Sequence, residues 1–112
     1  MSGYERSNDS PLAGSTASVV ISAGGDTVLA SPSAGKRLRL LWIALSTSQD
    51  NSFEVLAKVK LGAQVVYSWY LGTPGAFTHR ELVVAPNVDD QLVLNLSTGG
   101  QSVAANWTTT EV

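Results

Sequence analysis

The chain has 112 residues, of which 14% are charged, with a formal net charge of −2 at pH 7 and no cysteine. This length fits one domain, and a chain without cysteine has neither disulfides nor thiol chemistry. The weakly acidic balance argues against nucleic acid as a partner, and no apolar run reaches the ~20 residues of a membrane-spanning helix.

Residues 1–16 form a stretch of small and polar residues in which Pro11 and Gly14 discourage regular structure. We predict a flexible N-terminal arm here. It is either a loose tail or a segment that orders on a neighbouring subunit, with Tyr4 and Leu12 as its anchors. Fully extended, an arm of this length reaches roughly 50 Å, enough to cross a neighbouring domain.

Residues 17–112 predict a β-sandwich that starts with short strands at 18–22 and 27–30. The longest apolar run follows a basic entry of Lys36, Arg37 and Arg39, and we predict that it is the central strand. Strict alternation puts four of its side chains on one face: Leu38, Leu40, Trp42 and Ala44. Because the other face is also apolar further along, we expect both faces to be buried there, with Trp42 in the core.

The rest of the chain continues the pattern of short alternating strands separated by turn residues. The best hairpin joins a strand at 53–61 to one at 64–71 through Gly62 and Ala63, with Val65, Tyr67, Trp69 and Leu71 on one face. Further strands are predicted at 77–84, 91–96 and 102–111. About eight strands without helical periodicity indicate an all-β protein, an antiparallel β-sandwich or jelly roll with an extended N-terminal arm.

Residues suited to catalysis or metal binding are sparse. His79 is the single histidine, and the sequence has no Gly-x-Ser-x-Gly motif. Asp89 and Asp90 are adjacent acids that either bind calcium through their oxygens or are simply solvated on a turn. We therefore predict no catalytic, cofactor or metal site, and a protein that is not an enzyme.

Partner binding is the remaining role for side chains outside the core. The basic entry is either a solvated strand start or a patch that pairs with acidic groups of a partner. Tyr70 alternates with Tyr67 and Trp69, so we expect it to be exposed. The full set of predicted partner-binding residues is Tyr4, Leu12, Lys36, Arg37, Arg39, Tyr70, His79 and Arg80.

Several segments together resemble a known class of proteins. The basic and apolar run from Ala34 to Leu41 is followed by an alternating strand and a Pro74-Gly75 loop, and a late Leu92–Ser97 strand precedes the threonine-rich close at 106–110. In this order the chain resembles small β-sandwich proteins of tailed-bacteriophage virions, especially head decoration or cement proteins. The resemblance covers about residues 17–112.

The resemblance implies a homotrimeric knob on the outer capsid surface of the virion, made in the host cytoplasm during assembly. Such a protein stabilises the shell by bridging subunits of the major capsid protein, and needs no cofactor, nucleic acid or membrane. Two alternatives stay open. One is a tail, fibre or baseplate component, and the other is a carbohydrate-binding β-sandwich module in which Tyr70, Trp69 or Trp107 stacks on a glycan.

Overall fold

A computed structural model describes residues 15–47, 55–71, 75–100 and 102–112. Nine β-strands occupy most of these residues, and they pair antiparallel throughout. In chain order they are β1 (Ser15–Ile21), β2 (Gly25–Ala30), β3 (Leu38–Thr47), β4 (Val55–Leu61), β5 (Gln64–Leu71), β6 (Gly75–His79), β7 (Val83–Val84), β8 (Leu92–Leu96) and β9 (Val103–Glu111).

The strands form two sheets that pack face to face. The first sheet has the order β1-β9-β3-β6, with β7 also paired to β3, and the second has the order β2-β8-β4-β5. Since β6 and β7 share one position beside β3, the sandwich has eight strand positions. Most connections cross between the sheets, which is the double Greek-key arrangement of a jelly roll. The predicted fold class is confirmed.

The core lies between the sheets, and leucine is its most frequent residue. Alternation along β4 turns Val55, Ala57, Val59 and Leu61 inward, as the sequence predicts. The largest side chains that are fully enclosed come from both sheets: Leu40, Ile43, Leu45, Leu61, Leu71, Leu92, Leu94 and Leu96. Burying each such side chain contributes about 1.5–3 kcal/mol relative to leaving it in water.

A β-bulge in β3 reverses the predicted face of the central strand. The register with β9 shifts between Leu40 and Trp42, and Leu41 has no paired residue in β9. Ile43 and Leu45 therefore point into the core, and Trp42 and Ala44 lie on the outer face. The prediction that Trp42 is a core residue was wrong because an extra residue interrupts the two-residue period.

Two further irregularities correct the sequence analysis. In β5, Val65 and Tyr67 pair with adjacent residues of β4, so Val66 is an extra residue and Val65 turns outward, 47% exposed. The predicted strand at 77–84 is two strands, β6 and β7. The first strand begins at Ser15, whereas the sequence assigned residues 15 and 16 to the arm. Residues 1–14 lie outside the described residues.

Candidate interaction surface

The two sides of the sandwich, where the edge strands of the sheets face each other, differ in how they are filled. On the side formed by β5 and β6, which we call the closed side, four rings fill the gap between the sheets. The Tyr67 and Phe77 rings stack at 4.0 Å, Trp69 lies 4.9 Å from Phe77, and His79 stacks on Tyr67 at 5.6 Å. Burial in this cluster raises the pKa of the Tyr67 hydroxyl.

The opposite side, formed by β1 and β2, holds a cleft of about 690 Å³, and we call it the open side. Here the edge strands line the cleft with the small Ser15 and Ala17 of β1 and Ala30 of β2, together with Leu29 of β2. The floor is apolar, with Leu38 and Trp107, and Thr109 and Glu111 make the rim polar. Small residues leave unfilled the space that aromatic rings occupy on the closed side.

β1 is an edge strand that is exposed on both of its faces. From Ser15 to Val20 every residue is exposed, and Ile21 is the one buried member of the strand. Val19 points inward, opposite Ala105 of β9, and is nevertheless 40% exposed. Within the described residues, this inward-facing valine is therefore only partly covered.

The outer faces of the two sheets differ in charge. On the strands of the second sheet, Asp26, Lys58 and Lys60 point outward. On the first sheet, Arg39 is the single charged residue among the described outward strand positions. The others are small or neutral: Thr16, Ser18, Val20, Trp42, Ala44, Ser46, Ala76, Thr78, Val84, Ala104, Asn106, Thr108 and Thr110. We call these residues, together with Arg39, the first-sheet face.

The first-sheet face is ordered by its own contacts. The Thr16 and Thr108 hydroxyl oxygens lie 2.8 Å apart and share a hydrogen bond between β1 and β9. Thr108 is buried although it points outward. Strict alternation along β9 would leave Thr108 facing water, but the neighbouring strands on both sides of β9 cover it.

The basic entry predicted for partner binding is divided between a loop and the first-sheet face. The Arg37 Nε donates a hydrogen bond to the Ala85 carbonyl at 2.8 Å, and the Lys36 carbonyl accepts one from the Asp89 N–H at 2.8 Å. Arg37 therefore contributes to holding the loop in place, and Lys36 is exposed. Arg39 lies on the first-sheet face, opposite Val84 of β7.

The other predicted partner-binding residues are dispersed. His79 is half-buried on the closed side, and Arg80 is exposed in the segment between β6 and β7. Tyr70 is 60% exposed, as predicted, but it lies on the second sheet. Tyr4 and Leu12 lie outside the described residues. Arg39 lies on the interior strand β3 and Arg80 in the segment between β6 and β7, so the structure does not gather the predicted set at one place.

The aromatic residues do not form a flat platform for sugar stacking among the described residues. Trp107 is 4% exposed in the core, and Trp69 packs against Phe77 at an interplanar angle of 46° in the aromatic cluster of the closed side. Tyr70 is the exposed aromatic of the described residues and stands on the opposite outer face from Trp42. Of the three aromatic residues named for the carbohydrate alternative, Tyr70 is exposed, Trp69 is half-buried and Trp107 is buried.

The two adjacent acids hold loops together. The Gly35 N–H donates a hydrogen bond to Asp89 Oδ1 at 2.9 Å, and the Asn87 N–H donates one to Asp90 Oδ2 at 3.1 Å. Within the described ranges, no three residues of the metal-binding types are grouped. The same ranges contain no helix with the length and apolarity needed to cross a membrane.

Sequence reasoning missed the open side. The one local signal was the composition of residues 15–20, which are uncharged and small at the inward positions. That signal acquires meaning only when β1 is known to be an edge strand, and strand order depends on pairings between residues more than 80 positions apart, such as Ser15 with Thr109.

Comparison with known proteins gives a distant similarity. No protein-family model matches the sequence, and no curated protein matches it. Among solved structures, the chain is similar to one described as "Bacillus endospore appendages form a novel family of disulfide-linked pili", with 12% sequence identity and a TM-score of 0.48. The match covers 87% of this chain and 83% of that chain. A similarity this distant carries no argument about function.

Proposed function

We propose that this protein is a structural component of a bacteriophage virion, a decoration protein that binds the outer capsid surface and bridges subunits of the major capsid protein. The observation that carries the proposal is the first-sheet face, on which Arg39 is the single charged residue among the described strand positions. The choice of a virion capsid as the partner rests on the resemblance of the sequence to head decoration proteins.

The chemistry of the first-sheet face supports binding to another protein. Charged residues are depleted from the cores of protein interfaces, because burying an unpaired charge is costly. The side chains of this face are mainly Ser, Thr, Ala and Asn, which can be covered at a small cost in desolvation and side-chain entropy. The second sheet, with its outward lysines, is better suited to remain in water.

Two arginines near this surface would orient the protein on its partner. Arg39 stands near the start of β3, between Thr110 of β9 and Val84 of β7, and Arg80 is exposed in the segment between β6 and β7. Arginine binds carboxylates through two parallel hydrogen bonds, so acidic groups on a partner would fix the orientation of the docked sandwich. Many symmetry-related copies on one shell would then add modest individual affinities through avidity.

The test is co-sedimentation of the purified full-length chain with capsids assembled in its absence. Thr78→Lys places a charge on an exposed part of the first-sheet face, and Ser68→Lys places the same charge on the exposed outer face of the second sheet. We expect the wild-type chain and Ser68→Lys to bind, and Thr78→Lys to bind at least tenfold more weakly. A wild-type chain that stays in the supernatant, or equal binding by all three, would contradict the proposal.

A further inference from the structure

We propose that two copies of this chain pair antiparallel through β1, so that their first sheets become one continuous sheet with a two-fold axis at Ser18. This pairing concerns the free protein and goes beyond binding to a capsid. Either proposal can therefore fail without the other.

The first argument is that the other edges of the sandwich carry features that oppose pairing. In β2, Asp26 and a register shift between Val28 and Ala30 interrupt the edge. β5 contains a bulge, and the edge formed by β6 and β7 is broken between His79 and Val83. Bulges, charges and short strands are the usual protection of sheet edges against another chain.

β1 has none of these features. Its seven residues contain no charge and no proline, and all seven pair with β9 in an unbroken register from Ser15–Thr109 to Ile21–Val103. Among the described edge strands it alone combines this length, this regularity and this composition. No described strand pairs with its outer edge, so this edge is available to a strand that lies beside it.

The second argument is that β1 is complementary to itself. Its inward face increases in size along the chain, from Ser15 and Ala17 to Val19 and Ile21. In an antiparallel pair centred on Ser18, Ala17 lies opposite the partner copy's valine at position 19. The small residues that line the cleft of one copy thus face the larger residues of the other.

The pairing also covers the open side. A two-fold axis perpendicular to the sheet keeps both second sheets on the same side, so the clefts of the two copies face each other. The inward Val19 of each copy, which is 40% exposed in the single chain, then gains cover from its neighbour. This explains why the open side lacks the aromatic filling of the closed side.

The contact area between the two copies determines how stable we expect the dimer to be. A strand of seven residues is about 23 Å long, and the sheets are ~10 Å apart, so the contact covers roughly 230 Å² per copy. Stable interfaces bury about 800 Å² per partner, so this dimer is small and reversible. We expect it to form with rising concentration and to dissociate on dilution.

Cysteine cross-linking tests the pairing and its register. Because the natural chain has no cysteine, a single introduced thiol reports on one contact. Antiparallel partners have Cα atoms about 4.5–5.5 Å apart, within the range that a disulfide spans. We expect Ser18→Cys to form a disulfide-linked dimer under mild oxidation. The matched control Ser68→Cys, an exposed serine in the middle of edge strand β5, should remain monomeric.

A second measurement does not depend on oxidation. Native mass measured by light scattering over a range of concentrations should show a monomer–dimer equilibrium for the wild-type chain and for Val65→Lys. The equilibrium should be lost in Val19→Lys, which places a charge in the proposed contact. Val65→Lys is the matched control, because the two valines are similarly exposed on edge strands of opposite sheets. The proposal would be overturned if Ser18→Cys formed a disulfide only when mixed with Ser68→Cys. It would also be overturned if light scattering showed a trimer, or a monomer at all concentrations.

Discussion

Lys60 Nζ lies 3.0 Å from Asp26 Oδ1 on the outer face of the second sheet, and Asn95 Nδ2 donates a hydrogen bond to the same oxygen at 2.7 Å. These three residues belong to β4, β2 and β8, so one carboxylate links three strands. The hydrogen bond from Asn95, followed by that from Lys60, lowers the pKa of Asp26.

The lowered pKa of Asp26 predicts a loss of stability in acid. The ionised form is favoured in the folded state, so its contribution is fully present above the ordinary aspartate pKa of about 3.9. It is lost as the pH falls through the lower pKa of the folded state. We expect Asp26→Asn to reduce the acid dependence of the denaturant midpoint between pH 5 and pH 2. Glu81→Gln, an exposed acid between β6 and β7, is the control, and equal acid dependence in both variants would contradict this role.

Tyr67 predicts the opposite behaviour in alkali. Burial raises the pKa of its hydroxyl, so the neutral form is favoured in the folded state. Its contribution is fully present below the ordinary tyrosine pKa of about 10 and is lost as the pH rises through the higher pKa of the folded state. We expect Tyr67→Phe to unfold at a higher pH than the wild type in alkaline titration followed by circular dichroism. Tyr70→Phe should unfold at the wild-type pH, and a shift of equal size in both would count against burial as the cause.

The comparison of sequence and structure shows where local patterns suffice. The hairpin of β4 and β5 was predicted with its loop, because strict alternation and a Gly62-Ala63 turn are local signals. The strands β8 and β9 were placed within a residue or two for the same reason. Fold class follows from such patterns, since many short alternating strands with turns between them have few other solutions.

The β-bulges in β3 and β5 made the sequence-based assignment of side chains to strand faces wrong. Leu41 and Val66 each add one residue, and every position beyond the insertion changes side. Nothing in an apolar run such as that from Leu40 to Leu45 marks the extra residue, because both faces are hydrophobic there. The open side was missed for a different reason, which is that the edge position of β1 depends on the strand order of the whole sheet.

The bulge in β3 predicts an unusual response to deletion. Removing Leu41 takes out the residue that has no paired position in β9 and leaves Ile43 and Leu45 facing inward. Removing Ala44 instead turns Leu45 outward. We expect the Leu41 deletion to fold cooperatively with a modest loss of stability, and the Ala44 deletion to lose more than about 4 kcal/mol or not to fold. Denaturant unfolding followed by tryptophan fluorescence measures both, and an equal loss would show that the bulge is not where the register places it.

Alanine substitutions at two glycines allow the cost of backbone strain to be measured separately from the cost of a steric clash. Gly25 and Gly62 both have positive φ, at 84° and 62°. A Cβ at Gly25 would meet no atom within 4 Å, whereas one at Gly62 would lie 2.7 Å from both carboxylate oxygens of Asp90. That carboxylate accepts a hydrogen bond from the Asn87 N–H, so it cannot move without losing the contact.

We expect Gly25→Ala to lower the free energy of unfolding by about 1–2 kcal/mol, which is the cost of the left-handed conformation alone. Gly62→Ala should cost at least ~1 kcal/mol more, because it also displaces the Asp90 carboxylate from its hydrogen bond. Urea denaturation of the two variants measures the difference. Adding Asp90→Ala to Gly62→Ala should then cost less than Asp90→Ala costs in the wild type, since the clash has already removed that contact. Equal losses for the two glycine variants, together with strict additivity in the cycle, would show that Asp90 does not constrain this turn.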